Sequence, residues 1–274
     1  MSHSIKLLAL DIDGTLMGHD YILRDEVVNT IKKVVHESEI KVVLATGRMT
    51  HSTVPIAKQM DITNPLILYQ GAMVKDYVNN KILFKKPLPA DLAEQIAEEL
   101  ESEDIQVNLY INDILMMKQI TEVAISYGSA RYVDPVKIKD FSVIRETSPI
   151  KIVGLDRNTK KISQLVTKYA KKYEGKLGIV SSIPEFLEVT SCDVNKGITL
   201  FKTAKELWNI EPENIMAIGD GNNDYDMIRL AGYGIAMGNA TDKIKSVARY
   251  ITKDVMELGS VEAIEKLIFL GVRL

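Results

Sequence analysis

Leu7-Leu8-Ala9-Leu10-Asp11-Ile12-Asp13-Gly14-Thr15 is the stretch whose reading decides the fold. An apolar run stops at two carboxylates one residue apart, followed by a glycine and a hydroxyl. A strand shielded from water on both faces is apolar throughout, so Leu7 to Leu10 reads as the central strand of a sheet. Two unpaired carboxylates buried at its end would be costly, which calls for a cation between them. Open α/β sheets bind ligands outside the C-terminal ends of their parallel strands, where Asp11 and Asp13 fall.

Working outward, Val27, Val28, Ile31, Val34 and Val35 recur at spacings of three and four and predict a helix with one apolar face. Ile40 to Ala45 predicts a second strand that stops at Thr46-Gly47-Arg48, and strand, helix and strand of this kind form a right-handed parallel crossover. A helix over His51 to Met60, a third strand over Leu66 to Tyr69, and a hairpin of Ala72 to Tyr77 with Lys81 to Lys85 follow. Lys86-Pro87-Leu88-Pro89 reads as a linker. Beyond it, strands are expected over Gln106 to Ile111, Ile114 to Lys118, Ile150 to Leu155, Leu177 to Ser182 and Phe186 to Thr190. Helices are expected around Leu92, Ile96 and Leu100, over Ile120 to Tyr127, and over Asn158 to Tyr173. Hairpin-paired strands covered by helices on one face describe an α+β module.

From Asn195 the first pattern resumes. Gly197, Leu200, Phe201, Ala204, Leu207 and Trp208 mark a helix face, with Lys196 in its first turn. A strand over Asn214 to Ile218 ends in Gly219-Asp220-Gly221-Asn222-Asn223-Asp224, and a helix through Met227 to Leu230 follows. Further strands are expected over Tyr233 to Met237 and Arg249 to Thr252, before a terminal helix from Ser260. The expected architecture is a doubly wound, mostly parallel, Rossmann-like α/β core in two parts, residues 1–85 and 190–274. An α+β cap domain is inserted at 86–189.

Composition bounds the function. A net charge of -3 offers no basic field for nucleic acid, and no apolar run approaches the roughly 20 residues that span a bilayer. The first apolar segment is too short for a signal peptide, and the single Cys192 suits a reducing compartment, so a cytoplasmic location is expected. The four histidines lack metal-ligand spacing. Oligomeric state is not legible, and a monomer suffices.

Parallel topology gathers strand ends on one edge, so Asp11, Asp13, Thr46, Lys196, Asp220, Asn223 and Asp224 converge. Hard oxygen donors in this number suit Mg²⁺, while Lys196, Thr46 and glycine-rich N–H groups suit a phosphate dianion. A carboxylate can attack phosphorus to give an aspartyl-phosphate. An ordinary aspartate, with a pKa near ~3.9, would need no activation for this. Thr46 also reads as a helix N-cap and Asp224 as an ordinary helix-start acid. Lysine has the wrong sign for a helix start, which favours a role for Lys196 elsewhere. Arg48 reads as structural or peripheral.

These residues carry a resemblance. Asp11-Ile12-Asp13-Gly14-Thr15 matches the DxDGT signature of the haloacid dehalogenase-like superfamily. Thr46-Gly47-Arg48 is similar to its second motif, Lys196 to its third and Gly219 to Asp224 to its fourth. The large insert, Asn195-Lys196-Gly197 and Met237-Gly238-Asn239-Ala240 resemble the Cof-type subgroup of sugar-phosphate and cofactor phosphatases. The resemblance covers the whole chain. It implies Asp11 as nucleophile and Mg²⁺ ligand, and Asp13 as general acid/base that reaches the metal through its carbonyl. It further implies Asp220 as a metal ligand and Ile12, Thr46, Gly47, Lys196 and Asn223 at the phosphate, with Asp224 orienting Lys196 or a metal-bound water. The substrate would be a small phosphorylated metabolite, a sugar phosphate or a flavin- or pyridoxal-type phosphate. A phosphosugar mutase, or a non-catalytic binding protein on the same fold, is the alternative. The chain departs from the subgroup at Gln70-Gly71-Ala72, where Asn-Gly-Ala is usual.

Overall fold

The computed structural model describes residues 4–122, 125, 128 and 133–272. Its first unit is β1 (Leu7–Leu10), α1 (Asp25–Glu37) and β2 (Lys41–Leu44), followed by α2 (Thr50–Gln59) and β3 (Leu66–Leu68). A hairpin of β4 (Met73–Asp76) and β5 (Lys81–Lys85) continues from β3 as a three-stranded antiparallel sheet, tied to the core by a parallel bridge from Ala45 to Ile67. Next come α3 (Ala90–Ser102), β6 (Gln106–Ile111), β7 (Ile114–Met117), β8 (Val136–Lys137), α4 (Val143–Glu146), β9 (Lys151–Leu155), α5 (Thr159–Lys172), β10 (Leu177–Val180) and β11 (Phe186–Ser191). The chain closes with α6 (Lys196–Trp208), β12 (Ile215–Gly219), α7 (Tyr225–Leu230), β13 (Tyr233–Ala236), α8 (Asp242–Lys245), β14 (Tyr250–Ile251) and α9 (Gly259–Ile264).

Five parallel strands form the core sheet in the order β14-β13-β12-β1-β2. β1 pairs with β12 on one side and β2 on the other, with Leu7 opposite both Ile215 and Lys41. Every residue of β1 and β12 is buried, as apolar runs without alternation require when helices cover both faces. α1 turns Val27, Ile31 and Val34 onto the sheet, the face its spacing predicts.

The second sheet, β10-β11-β9-β6-β7-β8, is antiparallel except where β8 joins β7. Its strands alternate. Leu109, Ile111, Ile152, Leu187 and Val189 pack with Ala93, Ile96, Leu100, Ile162 and Tyr169 from α3 and α5, forming a core of their own. Tyr110, Val153 and Phe186, on the opposite face, pack with the main core. One side of this sheet is therefore a self-contained layer, and the other is laid over the C-terminal edge of the core strands. Three elements absent from the sequence reading, β8, α4 and α8, are two, four and four residues long, too short to show a period. Half of the helix expected over Ile120 to Tyr127 falls outside the described residues. Among the described residues, no helix is long and apolar enough to cross a membrane.

Candidate active site

β1 ends at Asp11, and the chain then turns sharply because the buried Ile12 carbonyl accepts from the N–H groups of Leu16 and Met17 at 2.9 and 3.0 Å. Gly14 makes this turn possible. Its φ is +86°, and a Cβ there would meet Asp220 Oδ2 at 2.2 Å. Thr15 donates from its hydroxyl to Asp220 Oδ1 at 3.0 Å, joining two motifs 205 residues apart.

α6 delivers the lysine. Asn195 caps the helix, accepting from Ile198 N–H at 2.8 Å, so Lys196 occupies the first helical position. Its ammonium donates to Asp11 Oδ1 at 2.5 Å and Asp224 Oδ1 at 2.7 Å, with the lysine side chain wholly buried. A buried ammonium so placed is held by its two carboxylates rather than by solvent, which settles the sign problem at the helix start. Burial alone would push its pKa down; Asp11 and then Asp224 outweigh burial and raise it. The other oxygen of Asp224 accepts from the N–H groups of Asp220 and Gly221, both at 3.0 Å. Asp224 is thus fully engaged, and more than a helix-start acid.

Carboxylate oxygens of Asp11, Asp220 and Asp224 lie within 4.8 Å of one another. Burial, then the charge of Asp224, pushes Asp11 well above the usual carboxylate range despite Lys196. The same two causes carry Asp220 up to about 7, against the hydrogen bond from Thr15. Asp11 is therefore no ordinary aspartate, and the expectation of an unaided nucleophile is corrected: its ionised form needs compensating positive charge. With Asp13 counted, four carboxylates face two cations, Lys196 and Arg48, so ionising all four calls for further positive charge. All-oxygen donors and this demand for charge fit Mg²⁺.

Asp13 is gripped by Arg48, whose Nε and Nη2 donate to its two carboxylate oxygens at 2.8 and 2.6 Å. Of the two readings of Arg48, structural or peripheral, the second is corrected: it lines the cavity and holds the second aspartate of the motif. Its position directly after Thr46-Gly47, at a strand end, was the available signal. Thr46 is buried, and its hydroxyl accepts from Arg48 N–H at 3.1 Å. It is no helix cap, since α2 begins four residues later behind Met49.

A cavity of about 100 Å³ opens above these groups. Asp11, Asp13, Gly47, Arg48, Gln70, Asp220 and Asn223 line its floor. From the second sheet come Tyr110, Lys151, Phe186 and Glu188, with Ser182 and Ile183 from the turn before β11. Thr46, Lys196 and Asp224 are not among its lining residues; they back it. Gln70, held with a φ of 59°, spans floor and roof. Its Oε1 accepts from Asn223 at 3.0 Å and its Nε2 donates to Glu188 at 2.6 Å. Gly47 admits it, because a Cβ there would meet Gln70 Nε2 at 2.5 Å.

The family profile for haloacid dehalogenase-like hydrolases matches residues 8–264. A 5-amino-6-(5-phospho-D-ribitylamino)uracil phosphatase of Bacillus subtilis is 31% identical over 264 residues, covering 95% of this chain and 94% of its own. A pyridoxal phosphate phosphatase of Escherichia coli is 26% identical over 91% of this chain and 93% of its own. A haloacid dehalogenase-like hydrolase from B. subtilis superposes with a TM-score of 0.86 at 26% identity, covering 96% of this chain and all of that one.

Proposed function

Because this chain belongs to the haloacid dehalogenase-like hydrolase family, we propose that it is a Mg²⁺-dependent phosphatase of a small phosphorylated metabolite, working through an aspartyl-phosphate on Asp11. The observation that carries this reading is the ammonium of Lys196 bonded to Asp11 and Asp224 beneath the cavity that Asp11 lines. Lys196 ties down one oxygen of Asp11 and leaves the other for attack. Asp11, Asp220 and the Asp13 carbonyl would hold Mg²⁺, with Asp224 orienting from behind. When bound, the cation supplies the positive charge that ionises Asp11 and admits a phosphate dianion.

Asp11 forms a bond to phosphorus while the bond from phosphorus to the leaving oxygen breaks, and Asp13 passes that oxygen a proton. Asp13 then takes a proton from water as the water oxygen attacks phosphorus, freeing Asp11 and inorganic phosphate. Gly47 would face the transferring group with Asn223 at its edge, and Thr46 and the Ile12 backbone would support it from behind. The segment 86–189 acts as the cap that excludes water and selects the leaving group. The relatives named for ribitylaminouracil and pyridoxal phosphates support a substrate among small phosphate monoesters.

The test is phosphate release from para-nitrophenyl phosphate with and without Mg²⁺, comparing wild type with Asp11→Asn. Loss of turnover by at least ~10³-fold is expected, as for removal of a nucleophile. Equal rates would sink the mechanism. A phosphosugar mutase would isomerise its sugar phosphate without accumulating free phosphate.

A further inference from the structure

The roof of the cavity holds an ion pair. Lys151 Nζ donates to Glu188 Oε1 at 2.5 Å, with the two side chains 4% and 2% exposed. The register explains the meeting: Glu188 lies opposite Val153 on β9, two residues from Lys151, so the two charges sit diagonally on the face turned to the core. Tyr110 lies directly opposite Lys151 on β6, and the ammonium stands 5.2 Å from its ring centre. The lysine also donates to the Gly47 carbonyl at 2.7 Å, and the second oxygen of Glu188 accepts from Gln70. Burying two charges in a sheet face is weak support for a fold, since apolar residues of the same volume serve as well or better. Both members line the cavity, which gives the pair a reason to exist.

Resting on the phosphatase reading above, we infer that Lys151, Glu188 and Gln70 are specificity determinants that select a leaving group bearing hydroxyls and no charge of its own. The pair is neutral as a unit. Lys151 is committed to Glu188 and to a backbone carbonyl, so among the described residues the roof offers no uncompensated cation to a second phosphate or carboxylate. Glu188 gains its ionised form from Lys151 in spite of burial, and would repel an anionic leaving group at close range. What faces the leaving group is the Glu188 carboxylate, the Ser182 hydroxyl bonded to it and the Gln70 amide, which exchange hydrogen bonds with hydroxyls, beside the rings of Tyr110 and Phe186. The extra methylene of Gln70 matters here, because it lets one amide reach Asn223 on the floor and Glu188 on the roof together. Specificity of this kind is built partly on repulsion.

The experiment compares kcat/KM for a hexose monophosphate, a hexose bisphosphate and para-nitrophenyl phosphate. It uses wild type, Glu188→Gln, and the double variant Lys151→Met with Glu188→Gln. Wild type is expected to favour the monophosphate over the bisphosphate. Glu188→Gln leaves the ammonium uncompensated and is expected to shift the ratio toward the bisphosphate by ~10-fold or more. Should that variant fail to fold, the double variant carries the test, since it removes both charges together. It is expected to lose at least ~10-fold more on the monophosphate than on para-nitrophenyl phosphate, whose leaving group has no hydroxyls for the roof to hold. Phosphate release by wild type with the same ratios in the variants overturns this inference alone. So does a wild-type preference for the bisphosphate. No release by wild type from any of the three esters overturns the phosphatase reading and this inference with it.

Discussion

The guanidinium of Arg48 takes both oxygens of Asp13 from a buried position, and a fork-to-fork pair fixes orientation as well as charge. Under the proposed mechanism Arg48 is a positioning residue: it aims the proton carrier. Arg48→Ala is expected to lower kcat by ~10-fold or more on alkyl phosphates, whose leaving oxygen needs a proton. The loss on para-nitrophenyl phosphate should be several times smaller, because that phenolate leaves without one. A steady-state comparison of the two esters checks this, and equal losses on both would remove Asp13 from the pair's purpose. Arg48 escaped the sequence reading for a physical reason. Its partner is 35 residues away and is brought close by sheet order, which no local spacing records. The motif aspartates and Lys196 were legible because charge at the end of an apolar run has few bland explanations.

Between elements, the turn of Asn112 and Asp113 joins β6 to β7 with φ of 51° and 63°, two left-handed residues in succession as the tightest hairpins require. This turn reaches the core. Asp113 Oδ1 accepts from Thr50 N–H at 3.1 Å, capping α2 from another sheet, and also takes the hydroxyl of Tyr69. Asp113→Gly should keep the turn and lose the cap, lowering stability by about 1 kcal/mol in urea unfolding. Asn112→Gly, which leaves those bonds intact, should change it by much less. Strands of the core were legible to within a residue or two because burial on both faces makes β1 and β12 apolar throughout and β2 apolar beyond its exposed first residue, Lys41. Lys151 and Glu188 were not singled out. A charge in a strand ordinarily marks a solvated face, and only the second layer of the molecule shows these two to be buried.

Over the whole molecule, the negative charge at the core's edge links metal, protons and folding. Asp220 sits near 7 rather than at its ordinary 3.8, so without a cation the folded chain keeps a proton that the unfolded chain has released. The stability this contributes is fully present below about pH 4 and is lost as pH rises through about 7. A cation needs the ionised carboxylates, so its benefit runs the other way. The gain in Tm from a fixed Mg²⁺ concentration should be larger near pH 8 than near pH 6. Thermal unfolding with and without Mg²⁺ at the two pH values decides it, and an equal gain at both would detach Asp220 from the metal.

The pairing of β1 with β12 has a consequence for synthesis. Leu7 waits for Ile215 to complete its side of the sheet, so the first strand leaves the ribosome long before that neighbour exists. The intervening layer carries its own apolar core and is finished sooner. During translation the nascent chain therefore holds an unclosed, wholly apolar edge at β1 while the later domain is already folding. That edge is a template for another chain's strand. For this protein the vulnerable moment is the interval before residue 215 emerges, and chaperone demand should concentrate there.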